Sequence, residues 1–151
     1  MNLMENPNFK FQSDWFSKRI PDWEKFLEHQ KGAPNLEYLE VGSFEGRSTV
    51  WILANILTHP TSRITCIDTF GGSMEHGRMG LDTTVIEDTF WHNIWVIKVE
   101  NKVRVLKGKS QEVLRRLPFD TYDFAYIDGS HVASDVLTDA VLTFPLIKRI
   151  S

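Results

Sequence analysis

Several absences narrow the class of this chain before any motif is read. There is one cysteine, Cys66, so neither an internal disulfide framework nor a cysteine-built zinc cluster is available. That lone thiol reads as a small buried core residue. Positive charge is not in surplus: 17 basic against 20 acidic side chains leave a formal charge of -3, too weak a field to gather polyanions. Nucleic acid is therefore not the expected partner. No apolar run approaches the length of a membrane span, and Met1 to Phe9 lacks the basic-then-apolar pattern of a signal peptide. Repeats, low-complexity tracts and Gly/Ser linkers are missing too. What remains is ordinary: 151 residues, 42% hydrophobic and 25% charged, which predicts one cytoplasmic domain over residues 1–151 with a sizeable core.

The first ten residues read as loosely ordered. Residues 13–31 follow as N-terminal helices, with Trp23, Phe26 and Leu27 on one face and Pro21 suited to a first helical turn. Lys31-Gly32-Ala33-Pro34 ends them. From 35 to 149 the pattern becomes strand–turn–helix, repeated. Strands are expected at 36–41, 63–68, 102–107 and 122–127, with helices near 47–58, after the Asp82 cap, at 110–117 and at 131–148 across Pro145. In the helix after Asp82, the residues Ile86, Phe90, Ile94 and Ile97 form one apolar stripe. Alternation of this kind predicts an α/β fold, a parallel sheet with helices on both faces.

Ligands of open parallel sheets bind beyond the carboxyl ends of the strands, so four strand ends are candidates. The first reads Glu40-Val41-Gly42-Ser43-Phe44-Glu45-Gly46. Its two glycines let the backbone turn sharply, and the following helix aims free N–H groups at the same space. Its G-x-x-x-G spacing differs from the G-x-G-x-x-G of dinucleotide sites, which counts against NAD. The second end is Asp68, placed to accept hydrogen bonds from both hydroxyls of a ribose, or simply to cap a loop. At the third, Gly108-Lys109-Ser110, Ser110 suits a helix N-cap and the backbone could line an adenine pocket. The fourth, Tyr126-Ile127-Asp128-Gly129-Ser130-His131, sets Asp128 and His131 three residues apart. That is an acid/base or metal-ligand pair, or else Asp128 and Ser130 cap the last helix and His131 is solvated.

Together these segments resemble the class I S-adenosylmethionine-dependent methyltransferases, in particular a bacterial group with E-V-G-x-x-x-G, I-D-T-F/W-G-G and Y-I-D-G-S-H motifs. The resemblance is carried by 40–46, by 67–72 with Glu75-His76 after it, by 126–131, and by Ala133 to Leu137 with Asp139-Ala140. It implies a Rossmann-like sheet in the order 3-2-1-4. Glu40, Gly42, Ser43 and Gly46 would then hold the methionine end of S-adenosyl-L-methionine, Asp68 and Thr69 the ribose, and Gly108, Lys109 and Ser110 the region of the adenine. Asp128 would face the methyl group and the acceptor, with His131 beside it as a catalytic candidate. There Asp128 would take the acceptor's proton or ligate Mg²⁺.

In this family seven strands are expected, and four are readable here. The expectation is thus a C-terminally truncated domain whose distal strands are missing and whose fourth strand is an edge, open to self-association. The leading function is O-methylation of a small hydroxylated acceptor such as a sugar or natural product. The alternatives are a cofactor-binding remnant that needs a partner, and an NAD-dependent oxidoreductase.

Overall fold

The structure, a computed structural model, describes residues 5–72 and 77–149. Glu75 and His76 lie outside the described residues. Four strands form one sheet: β1 (Glu37–Val41), β2 (Arg63–Asp68), β3 (Val103–Lys107) and β4 (Phe124–Ile127). Their order is β3-β2-β1-β4, with every pairing parallel. The expected order holds. Parallel neighbours need long crossovers, and the helices that supply them cover both faces.

One face carries Tyr38, Ile64, Cys66, Phe124 and Tyr126. Against it pack α1 (Ile20–Leu27), α2 (Arg47–Asn55) and α3 (Ile86–Val96), through Leu27, Trp51, Ile52, Ile86, Phe90 and Ile94. The other face carries Leu39, Val41, Ile67, Ala125 and Ile127 beneath α4 (Ser110–Leu114) and α5 (Ala133–Thr143). Period-2 alternation along β1 and β4 sorts the two sets. The stripe on α3 is buried as its spacing predicts, with Ile97 half-buried at its end.

Several boundaries differ from the sequence reading. The N-terminal helical region is shorter: 3-10 turns at Ser17–Arg19 and Glu28–Gln30 flank α1, and Phe26 is exposed rather than on the buried face. Helix α2 stops at Asn55, and beyond it the buried Lys102 ammonium donates to the carbonyls of Leu57 and His59. The last helix ends at Thr143. Pro145 lacks the N–H a continuing helix needs, so Phe144–Leu146 tightens into a 3-10 turn. Ile147 then runs parallel beside Tyr122, with the Tyr122 N–H donating to Leu146 O and the Lys148 N–H to Tyr122 O. The outer edge of β4 thus carries one rung of strand-like pairing at its foot.

The segment before α1 is the largest departure. The first ten residues read as loosely ordered and helix was expected from residue 13, yet residues 8–17 are an extended segment and turns tied down along their length. Lys10 exchanges two bonds with the Asn93 amide, Gln12 bonds to Glu45 and Asp82, and Asp14 pairs with Arg47 at 3.2 Å. Among the described residues no helix is long and apolar enough to cross a membrane.

Candidate active site

At the C-terminal ends of the strands, four loops meet. The first leaves β1 at Gly42, whose N–H donates to Ile67 O and whose φ is 86°. A Cβ at this position would stand 2.4 Å from both the Asp128 carbonyl oxygen and the Gly129 Cα. Glycine is required here because the loops after β1 and β4 touch, a closer constraint than the ligand approach the sequence suggested. Gly46 starts α2 in the left-handed region, and a Cβ there would press on the Phe90 ring at 2.9 Å. Between them Ser43 is buried, its hydroxyl near enough to the Glu40 carboxylate to help stabilise the charged form.

Glu40 lies under this loop, fully buried. Its carboxylate accepts from the Ser48 hydroxyl at 2.5 Å and from the Thr49 hydroxyl, with the Cys66 thiol 3.7 Å away. Burial pushes its pKa up, against the pull of the Ser48, Thr49 and Ser43 hydroxyls and the Cys66 thiol. Burial likewise raises the Cys66 thiol well above its usual range, so it is an inert core residue, as expected.

Asp68 ends β2 and holds two loops at once. One carboxylate oxygen accepts from the Phe44 N–H at 2.8 Å and the other from the Phe70 N–H at 2.7 Å. Phe44 and Phe70 both sit at positive φ, 49° and 54°, a conformation that costs a β-carbon residue about 1–2 kcal/mol and that these bonds help to hold. A carboxylate has about four lone-pair sites, so roughly two remain for a diol. Thr69, next to it, is exposed, and its hydroxyl accepts from the Gly71 N–H.

The third end departs from the cap that was expected. Lys109, exposed, occupies the N-cap position of α4, and the Ser110 hydroxyl donates instead to both oxygens of Asp139, at 2.8 and 2.9 Å. Asp139 belongs to α5 and is buried, which raises its pKa, as does the nearby Asp135 charge. Gly108 is tied to β2 through its N–H, donated to Asp68 O. The sequence singled out Asp139 only as part of a motif. Its place on the same helical stripe as Asp135 and Thr143 was the signal for an inward-facing carboxylate.

At the fourth end, Asp128 is exposed, and its N–H donates to Val41 O. One carboxylate oxygen accepts from the Tyr126 phenol at 2.8 Å. Burial, then the Asp128 charge and this bond, push the phenol well above its usual pKa, so it stays a donor. Trp23 of α1 packs edge-on against the Tyr126 ring at 4.7 Å. Tyr126 was read only as motif and is the residue that orients Asp128. Ser130 accepts from the Val132 N–H and donates to Asp135, while His131 stands exposed in the same loop.

The strand ends therefore bring Ser43, Asp68, Gly108 and Asp128 to one edge of the sheet. A Mg²⁺ ion finds no such support: the described residues contain no group of three or more His, Cys, Asp or Glu able to hold a metal. Asp128 has the Tyr126 phenol for a neighbour.

A family model described as a methyltransferase domain matches residues 39–150. No curated protein matches the chain. Among solved structures, the chain is similar to a candidate S-adenosyl-L-methionine-dependent methyltransferase from Methanococcus maripaludis (13% identity, TM-score 0.60, 88% of this chain and 52% of that one). It is also similar to precorrin 8w decarboxylase from Methanobacterium thermoautotrophicum (17%, 0.61, 95% and 62%). A third is a candidate caffeoyl-CoA O-methyltransferase from Staphylococcus aureus (16%, 0.58, 93% and 56%). At such identities the likeness is one of fold, and the chain spans about half to three-fifths of the length of these proteins.

Proposed function

The chain belongs to the methyltransferase-domain family, and from that premise we propose that it binds S-adenosyl-L-methionine at the strand ends and methylates a hydroxyl of a small metabolite such as a sugar or natural product. The observation that carries this reading is the Asp68 carboxylate, held by two backbone N–H groups and still able to accept from a diol. Ser43, buried in the neighbouring loop beside Glu40, borders the same space.

In this reading Gly42, Ser43 and Gly46 shape the seat of the methionine end, and Glu40 acts from beneath by fixing Ser48 and Thr49. Asp68 and Thr69 take the ribose. Gly108, Lys109 and Ser110 border the adenine. When bound, the cofactor supplies an activated methyl group on a sulfonium. The protein's part is to align the acceptor, keep water out and accept a proton. Asp128, steadied by Tyr126, takes that proton from the acceptor hydroxyl, and His131 in the same loop passes it to solvent.

Calorimetric titration tests this directly. S-adenosylhomocysteine binds and NAD does not, and Asp68→Asn weakens the binding by about 1.5–3 kcal/mol, the usual worth of bonds to a charged group. Binding of NAD in place of S-adenosylhomocysteine would turn the reading toward an oxidoreductase.

A second reading, a cofactor-binding domain completed by a second copy of itself, is favoured by α5. Its outward face is apolar, with Val136, Leu137 and Val141 exposed and Val132 and Phe144 exposed just beyond its two ends, while its inward face carries Asp135, Asp139 and Thr143. Beside it lies the outer edge of β4, paired only at its foot. An apolar helix face next to an open strand edge favours association.

A further inference from the structure

The segment before α1 grips the first loop through one residue. Glu45, third of the residues between Gly42 and Gly46, is only 1% exposed. Both oxygens of its carboxylate are met by Gln12: the Gln12 N–H donates to one at 2.8 Å and the side-chain amide to the other at 2.7 Å. The same amide reaches across to Asp82, donating to its carbonyl at 3.0 Å and accepting its N–H at 2.8 Å. Asp82 caps the turn that leads into α3. Gln12 thus ties together the loop after β1 and the far end of the loop after β2, which bracket the strand-end site.

Neighbouring contacts act in the same direction. The Asn93 amide donates to the Lys10 and Glu45 carbonyls, and the Trp15 ring packs 5.5 Å from Phe44. Phe44 is the left-handed residue that Asp68 holds from within. Two grips therefore fix the 42–46 loop in an unfavourable conformation: Asp68 inside the site, and the N-terminal segment outside it. A loop held in its receiving form before the ligand arrives loses less entropy on binding.

Resting on the cofactor reading above, we propose that Gln12 is a positioning residue for the cofactor. Through Glu45 it holds the Gly42–Gly46 loop in the form that receives the methionine end. It touches no reacting atom, and its effect falls on affinity.

The test titrates S-adenosylhomocysteine into wild type, Gln12→Ala, Gln12→Glu, and the exchange Gln12→Glu with Glu45→Gln, with thermal unfolding of each. Wild type binds, Gln12→Ala binds about tenfold more weakly, and Gln12→Glu is weaker still because two carboxylates then face each other. The exchange variant re-forms an amide–carboxylate pair at positions 12 and 45 but lacks the donor to the Asp82 carbonyl, so it recovers part of the loss and binds several-fold more tightly than Gln12→Glu; thermal unfolding confirms that each variant is folded at the titration temperature. Wild-type binding with unchanged affinity in Gln12→Ala overturns this proposal alone. An exchange variant that binds no more tightly than Gln12→Glu does the same, since loss of packing is not repaired by swapping partners. Absence of wild-type binding overturns the cofactor reading and this proposal with it.

Discussion

Gly42 shows how much one missing side chain decides. Its φ of 86° and the 2.4 Å separation that a Cβ would have from the Asp128–Gly129 backbone act together. Gly42→Ala is expected to cost about 2–4 kcal/mol, from the left-handed strain plus the overpacking. Urea unfolding measures it, and a loss under 1 kcal/mol would mean that the two loops separate freely. Glu40 gives a prediction in pH. Its pKa is raised by burial from an ordinary 4.5, so above that value the folded state holds a proton the unfolded state has released. Stability from this group is therefore greatest at low pH and falls as pH rises from 4.5 through the raised value. Glu40→Gln, neutral throughout, gains on wild type over that range and matches it below. A difference that does not vary with pH would show Glu40 to be ionised in the folded protein. At this scale the sequence marked Glu40, Asp68 and Asp128 as candidates, Glu40 within the first strand and the other two where the second and fourth strands end. It could not reveal their partners, since Ser48, Phe44 and Tyr126 reach them only once loops have closed.

Among the elements, α5 joins two strand-end loops that are far apart in sequence. Asp139 accepts from Ser110 after β3, and Asp135 from Ser130 after β4. Asp139→Ala leaves the Ser110 hydroxyl without its acceptor and is expected to cost about 1–3 kcal/mol, with faster amide exchange at Gly108. Unchanged exchange there would free the β3 loop from α5. Strand and helix order was legible because the apolar period changes from 2 to 3.6 along the chain. Helix ends were less so. Pro145 marked its stop, but Ser110 was misplaced: it lies one residue inside the helix, past the cap position, and its hydroxyl donates to Asp139. The N-terminal segment was illegible because, apart from the local Asp14 turn onto Phe16 and Ser17, its order comes from the distant Glu45, Asp82 and Asn93.

For the molecule as a whole, the inverted polarity of α5 sets the expected behaviour. Phe144 is 84% exposed, and Leu137 and Val141 stand on the same side. The chain is expected to self-associate with rising concentration, and Val141→Lys with Phe144→Ser to reduce it. Sedimentation across a concentration series checks this, and a monodisperse monomer at every concentration would remove the partner-requiring reading. The sheet order was readable from the motifs as a set. The exposed face of α5 was not legible, because Val136, Leu137 and Val141 are apolar and only the placement of Asp139 against Ser110 shows which side of the helix turns inward.

The central claim is that a single cofactor site lies across the carboxyl ends of β1, β2, β3 and β4. Amide chemical-shift mapping by two-dimensional NMR during titration with S-adenosylhomocysteine tests it most directly. The account predicts saturable shifts clustered at Gly42 to Gly46, Asp68 to Phe70, Gly108 to Ser110 and Asp128 to Gly129, with the amides at the opposite strand ends, such as Glu37 and Arg63, unmoved. Shifts confined to those opposite ends, or no saturable shift at all, would contradict it.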